Sequence, residues 1–148
     1  MSEVSIRAAV IKEVQSGLAG ITVANGFQTN VKKVLRGIRS REDFETIPGL
    51  AIWNESRPTQ ARTFSGNTGT LILHIFGIVE VDARNDKYDN LDKLLADVEK
   101  CVTTVARNSY ADKTEVRDLT IYEGGSEDSF GEFDMVIEVQ YDYERDTP

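Results

Sequence analysis

The sequence is poor in the residues that build disulfides, metal centres and catalytic dyads. Its 148 residues include one cysteine, Cys101, and one histidine, His74. A single cysteine excludes an internal disulfide and fits a reducing compartment. One histidine without cysteine or histidine partners excludes an ordinary zinc site. We therefore expect both side chains to be packed, Cys101 as a small buried hydrophobic residue and His74 as a hydrogen-bonded one.

Motifs for nucleotide, metal and catalytic sites are absent as well. The sequence has no Walker loop, no G-x-G-x-x-G and no H-E-x-x-H, and the pair Gly124-Gly125 is too short to cradle a phosphate. The acids between residues 82 and 92 lack the D-x-D-x-D-G order and the closing Glu of a calcium loop. We therefore expect a protein that is not an enzyme and that needs no cofactor or metal.

Long hydrophobic runs are also missing. No run approaches the roughly 20 apolar residues that a membrane helix needs. The segment Met1–Ser5 does not show a basic stretch followed by an apolar core, so we expect neither a membrane protein nor an export signal. With 40% hydrophobic residues, the composition is that of an ordinary globular chain, and residues 1–148 are predicted to form a single domain.

Charge is distributed unevenly along the chain, whose net charge is −8. Residues 1–64 carry nine Lys or Arg against six Asp or Glu, whereas residues 65–148 carry eight against nineteen. The acidic second half argues against nucleic-acid binding, because phosphate contacts need clustered cations. Solubility alone also explains an acidic excess. In the basic half, Lys32, Lys33 and Arg36 indicate a protected sheet edge or, alternatively, a docking surface for an acidic partner.

Hydrophobic periodicity predicts two helices and about five strands. One helix runs from Glu3 or Val4 to about Leu18, and the other follows the cap Asp89-Asn90 through Val105. Extended segments are predicted at residues 29–37, 50–55, 70–82, 116–123 and 133–144, with a turn over 108–114. The order helix, three strands, helix, two strands predicts an α+β fold, α-β-β-β-α-β-β: a mostly antiparallel sheet with two helices packed on one face.

The last predicted strand alternates most regularly. Its odd-numbered positions from Phe133 to Tyr143 are apolar and predict the core face. The opposite face carries four carboxylates, at Asp134, Glu138, Asp142 and Glu144. That face meets either solvent or a lumen.

Residues 54–69 form the most unusual segment, because they show no period and are rich in turn formers. Structureless connections longer than about 12–15 residues are uncommon and are usually functional or disordered. Arg57, Arg62 and Phe64 in this segment, and Trp53 just before it, are candidates for a subunit interface, since Trp and Arg are enriched in binding hot spots. A core or sheet-face position for Trp53, and an extension of the flanking strands into a hairpin arm, are the alternatives.

The chain resembles the tail terminator proteins of long-tailed phages, also called tail completion or minor tail protein U-like proteins. The resemblance covers nearly the whole chain and lies in its length, its element order and several short sequence segments. These are ITVANGF at residues 21–27, IPGLAIW at 47–53 before a polar loop, and the strand 71–81 before a helix that opens with YDNL.

The resemblance implies a virion protein that assembles as a hexameric ring on the last ring of the tail tube. Such a ring stops tube elongation and meets the head or neck connector, at the head-proximal end of a tail assembled in the host cytoplasm. Its partners would be further copies of itself, the tail tube protein and the connector protein, with DNA passing through the lumen without specific binding. Under this hypothesis Asp134, Glu138, Asp142 and Glu144 are one candidate lining of the lumen, and the acids around Glu127 and Asp128 are another. The alternatives are a head–tail connector or completion protein, a non-viral monomeric α+β binding domain and an uncharacterised enzyme.

Overall fold

The computed structural model describes residues 3–55, 59–63, 66–81, 88–105, 111–123 and 130–143. Two α-helices pack on one face of a six-stranded sheet, so the predicted α+β class is confirmed. The helices are α1 (Glu3–Ala19) and α2 (Asp89–Val105). The strands are β1 (Lys33–Arg36), β2 (Gly49–Asn54), β3 (Thr59–Thr63), β4 (Gly66–Glu80), β5 (Ala111–Glu123) and β6 (Phe130–Tyr143). Neither helix within these ranges is long and apolar enough to cross a bilayer.

The long strand β4 organises the sheet, whose order is β1-β2-β4-β6-β5. It pairs with β6 over residues 67–80, and along its other side it pairs first with β3 and then with β2. All of these pairs are antiparallel, and only β1 and β2 run parallel. Strands β1 and β5 therefore lie at opposite ends of the sheet.

The core lies between the helices and the helix-side face of the sheet. Alternate residues of β4 and β6 are buried there, as their period of two predicts. The helices contribute residues at helical spacing, including Val10, Val14, Leu94 and Val98, all at most 1% exposed. Each fully buried aliphatic side chain stabilises the fold by roughly 1.5–3 kcal/mol relative to exposure. The core therefore holds the helices to the sheet.

Two glycines of β4 allow aromatic rings of β6 to lie directly against the strand. A Cβ atom on Gly77 would overlap the Phe133 ring, and one on Gly69 would overlap the Tyr141 ring. Both rings are fully buried. These glycines are needed for close packing of rings on the strand, not for unusual backbone angles.

Several predicted boundaries differ from the structure. The strand predicted over 29–37 is reduced to β1, because the amide of Thr29 donates to Asp97 on α2 and the amide of Val31 donates to the carbonyl of Ile21 instead of to a strand. The turn predicted over 108–114 is wrong at its end, since residues 111–114 already belong to β5. Within the segment 54–69, β3 pairs with the start of β4, so the alternative of a hairpin arm is confirmed, and β3 adds a short strand to the predicted order.

Candidate functional site

The sheet face that points away from the helices carries the acidic residues of β6. Asp134 and Glu138 are half-buried in this face and Asp142 is exposed on it, whereas Glu144 and the other candidates, Glu127 and Asp128, lie outside the described residues. We call this surface the acidic sheet face. The structure therefore turns these three predicted carboxylates away from the core, and their position on a lumen stays a prediction.

Each of these carboxylates has a neighbour on an adjacent strand. Arg117 Nη1 lies 2.6 Å from Glu138 Oε2. The hydroxyl of Thr68 donates to Asp142 Oδ1 at 2.9 Å. Asp134 Oδ1 lies 3.6 Å from the Nδ1 atom of His74. Cross-strand neighbours thus position the acids, and Arg117 neutralises the charge of Glu138.

His74 and Trp53 form a stacked pair on the same face. They are cross-strand partners on β4 and β2, with ring centroids 3.8 Å apart and planes inclined by 10°. The Nε2 atom of His74 lies 3.1 Å from Glu55 Oε1, and the imidazole is 14% exposed. The interpretation of His74 as a packed, hydrogen-bonded residue is confirmed. Trp53 is half-buried on the open sheet face and is not part of the core between helices and sheet.

The four residues predicted for a subunit interface are not all described. Trp53 lies on the acidic sheet face, and Arg62 lies in β3, where its backbone is the register partner of Asn67 in β4. Arg57 and Phe64 lie outside the described residues. The hairpin arm of β3 and β4 therefore exists, and its use as an interface remains a prediction.

Edge strand β5 carries an exposed apolar surface that the sequence did not indicate. Val116, Leu119 and Ile121 are 37%, 41% and 42% exposed, and they pair with buried helix-side residues of β6. The helix-side apolar face of the sheet thus continues onto β5 without being fully covered. Among the described strands β5 pairs only with β6, so its outer backbone edge is free. The irregular spacing 116, 119, 121 results from a register shift between Val116 and Asp118, which hid the alternation.

At the opposite side of the molecule, α1 and β1 border a basic groove. It has a volume of about 410 Å³ and is lined by Arg7, Lys12 and Arg36 together with apolar residues of α1. Among the described residues that line it, none carries a carboxylate. The guanidinium of Arg36 donates to Asn54 Oδ1 at 2.9 Å, which holds it at the groove. The end of the sheet at β1 is therefore basic, whereas the end at β5 exposes apolar side chains.

Groups with catalytic or metal-binding chemistry are sparse in the described structure. Within the described ranges no three His, Cys, Asp or Glu side chains are grouped so that they could hold a metal ion. Burial raises the pKa of the Cys101 thiol to about 11, and the charge of Asp97 acts in the same direction. Cys101 therefore behaves as a packing residue at neutral pH.

Comparisons with known proteins do not assign the chain to a family. No protein-family model matches it, and no curated protein matches it in sequence. Among solved structures, the chain is similar to a chain from the virion of a native gene transfer agent (GTA) particle, with a TM-score of 0.47 and 9% sequence identity. That match covers 93% of this chain and 94% of the other. A similarity of this degree carries no conclusion about function.

Proposed function

We propose that this chain is a structural virion protein of a long-tailed phage, a subunit that closes into a hexameric ring on the end of the tail tube. The ring ends tube elongation and offers the attachment surface for the head or neck connector. The proposal combines the resemblance of the sequence with the surfaces described above. It assigns no catalytic step to the chain.

The observation that carries the proposal is the exposed edge of β5. Its 13 residues form an edge strand with unpaired backbone groups and three apolar side chains that are 37–42% exposed. Long edges with apolar side chains promote association unless they are covered. An assembly subunit supplies the cover by packing against its neighbours, so β5 fits a protein whose functional state is an oligomer.

The acidic sheet face supports the second part of the proposal, which is unhindered passage of DNA. Glu138 is paired with Arg117, but among the described residues Asp134 and Asp142 have no Lys or Arg partner, so this face repels phosphate and gains nothing from counterion release. If this face lines the lumen, DNA slides through the ring without a binding site. The helices then lie on the outer wall, because they cover the opposite face of the sheet.

A non-enzymatic role agrees with the state of the most reactive side chains. The single imidazole is stacked on Trp53 and bound to Glu55, and the single thiol is buried. Catalytic sites usually gather such groups together in one cleft. Here the two groups serve packing.

Negative-stain imaging of the purified full chain, alone and with tail tubes, tests the proposal. We expect rings with a central hole, or rings seated on one end of the tubes. Side-chain placement is read from a gold-labelled Asp142→Cys variant, with Glu99→Cys on the exposed side of α2 as the matched control. Label density in the central hole for Asp142→Cys and on the rim for Glu99→Cys is the expected result.

Two results would contradict the proposal in different ways. A protein that forms no ring under any of these conditions is not a ring subunit. Rings whose Asp142→Cys label sits on the outer wall would remove the acidic lumen while leaving the ring intact.

A further inference from the structure

The two ends of the sheet come from the two oppositely charged parts of the chain. Strand β1 belongs to the basic part and β5 to the acidic part, and the sheet order places them at opposite ends. Each is hydrogen-bonded to one described strand only, β1 to β2 and β5 to β6. Within the described residues the two ends of the sheet therefore present two different strand edges, apart from the short outer edge of β3.

The edge at β1 carries cations that lack a carboxylate partner within the described structure. Lys32, Lys33 and Arg36 are exposed, and none of them forms an ion pair with another described residue. The chain then exposes Ile38 to 76% immediately after the strand. We call this surface the basic edge.

The edge at β5 combines carboxylates with apolar side chains. Asp118 is exposed and accepts a hydrogen bond from the adjacent amide of Leu119. Glu115 is also exposed and is bridged to Lys113 at 2.8 Å, a surface pair that a competing cation replaces at little cost. We call the outer edge of β5, with the apolar residues Val116 and Leu119 and these carboxylates beside them, the apolar edge.

The strand registers show that the two edges match face by face. Lys33 pairs with Gly49, which in turn pairs with Ile78 on the acidic-face side of β4, so Lys33 points to that side. Asp118 pairs with Val136, the partner of His74, and points to the same side.

The apolar residues of the two edges lie together on the other side of the sheet. Val34 is the partner of Leu50, and Leu119 is the partner of Met135; both partners are core residues on the helix side. When two sheet edges meet side by side, each face continues across the junction. Lys33 then approaches the side of β5 that carries Glu115 and Asp118. Lys113 and Arg117 lie on that side as well, each already paired with a carboxylate. On the other side of the sheet Val34 approaches apolar side chains.

We propose that the basic edge of one copy docks against the apolar edge of a second copy of this chain. This inference rests on the proposed function and names the contact that builds the ring. Two different edges meeting head to tail form a heterologous interface, which closes into a ring when the rotation between copies fits. The alternative use of Lys32 and Lys33 is protection of a monomer edge, which predicts no contact at all.

Disulfide trapping between single-cysteine variants tests the contact. We expect a mixture of Lys33→Cys and Asp118→Cys proteins to form a covalent dimer under mild oxidation, because edge-paired residues lie within disulfide range. Each variant alone should form it at least ~10-fold less, and the double variant should give covalent multimers. Glu99→Cys mixed with Asp118→Cys is the matched control and should remain uncrosslinked. The buried Cys101 stays in every protein.

A charge exchange adds a readout that does not depend on oxidation. Asp118→Lys should weaken assembly at least ~10-fold, because it places like charges across the contact. Adding Lys33→Asp to the same chain should restore it. Assembly that stays weak in the variant with both changes would overturn the inference.

The outcomes separate this contact from the proposed function. Rings that form normally but give no Lys33→Cys to Asp118→Cys dimer would overturn the contact and leave the ring standing. Efficient dimers from Asp118→Cys alone would show a twofold interface and overturn the head-to-tail arrangement. The absence of any oligomer or cross-link would overturn both.

Discussion

Asp97 shows how a single polar residue fixes the approach of a loop to a helix. Its carboxylate on α2 is 2% exposed and accepts from the amides of Gln28 and Thr29. The hydroxyl of Thr29 also donates to Asp97 Oδ2, at 2.5 Å. A buried carboxylate is stable only when donors surround it in this way. The loop before β1 is therefore held by α2, which lies about 70 residues away in sequence.

Removing this carboxylate should destabilise the fold. We expect Asp97→Ala to lower the free energy of unfolding by roughly 2–4 kcal/mol, because buried amide donors lose their acceptor. Asp97→Asn keeps one acceptor oxygen and should lose less. Urea denaturation followed by circular dichroism measures both. Glu99→Gln, exposed on the same helix, should change stability by less than about 0.5 kcal/mol; an Asp97→Ala loss no larger than that would refute this role of Asp97.

Cys101 should be chemically silent in the folded protein. Because its pKa is raised to about 11, the thiolate is scarce at pH 8, on the order of one thiol in a thousand. Labelling by a disulfide reagent at pH 8 should be at least ~100-fold slower in the native protein than in urea. The rate should rise with pH up to the raised pKa. Equal rates in the native and denatured states would show that the thiol is accessible.

Residue-scale prediction from sequence succeeded where spacing is regular. The stripe of α2 correctly placed Cys101, and the position of His74 between apolar neighbours correctly indicated packing. The role of Asp97 was missed. Its donors, at Gln28 and Thr29, are distant in sequence, and an acid on a helix ordinarily faces solvent.

At the scale of elements, regular alternation decided which strands could be predicted. β6 alternates without interruption, so its core face and its acidic face were both predictable. β5 contains register shifts near Ala111 and after Val116, which break the period of two. Its early start and its exposed apolar face therefore depend on pairing with β6, information that a local pattern does not hold.

The hairpin arm offers a test at this scale. Deleting residues 59–65 removes β3 and leaves only residues 56–58 to connect Glu55, which lies beside Ile72, with Gly66, so the first residues of β4 should leave the sheet as well. The remaining residues of β4 stay paired with β6, so we expect the domain to fold with an unchanged circular dichroism spectrum in the helical range. We also expect weaker assembly, because the arm with Arg62 and Phe64 is predicted to reach a neighbouring subunit. Light scattering on the deletion variant measures this. An unchanged oligomer would show that the arm does not build the ring.

At the scale of the whole molecule, the α+β class and the element order followed from the sequence, since both depend on hydrophobic periods. The position of the basic and acidic parts of the chain in the fold did not follow from the sequence. Only the sheet order β1-β2-β4-β6-β5 reveals that the basic and acidic parts end at opposite edges of one sheet. That arrangement turns an uneven composition into two complementary surfaces.

The mass of the particle in solution tests the central claim most directly. Light scattering coupled to size-exclusion chromatography, over a concentration series of the full chain, should reach about 99 kDa, six times the 16.5 kDa subunit. If free subunits assemble only on tail tubes, purified tubes should instead gain this mass when the protein is added. A mass of 16.5 kDa at every concentration, with and without tubes, would contradict the account.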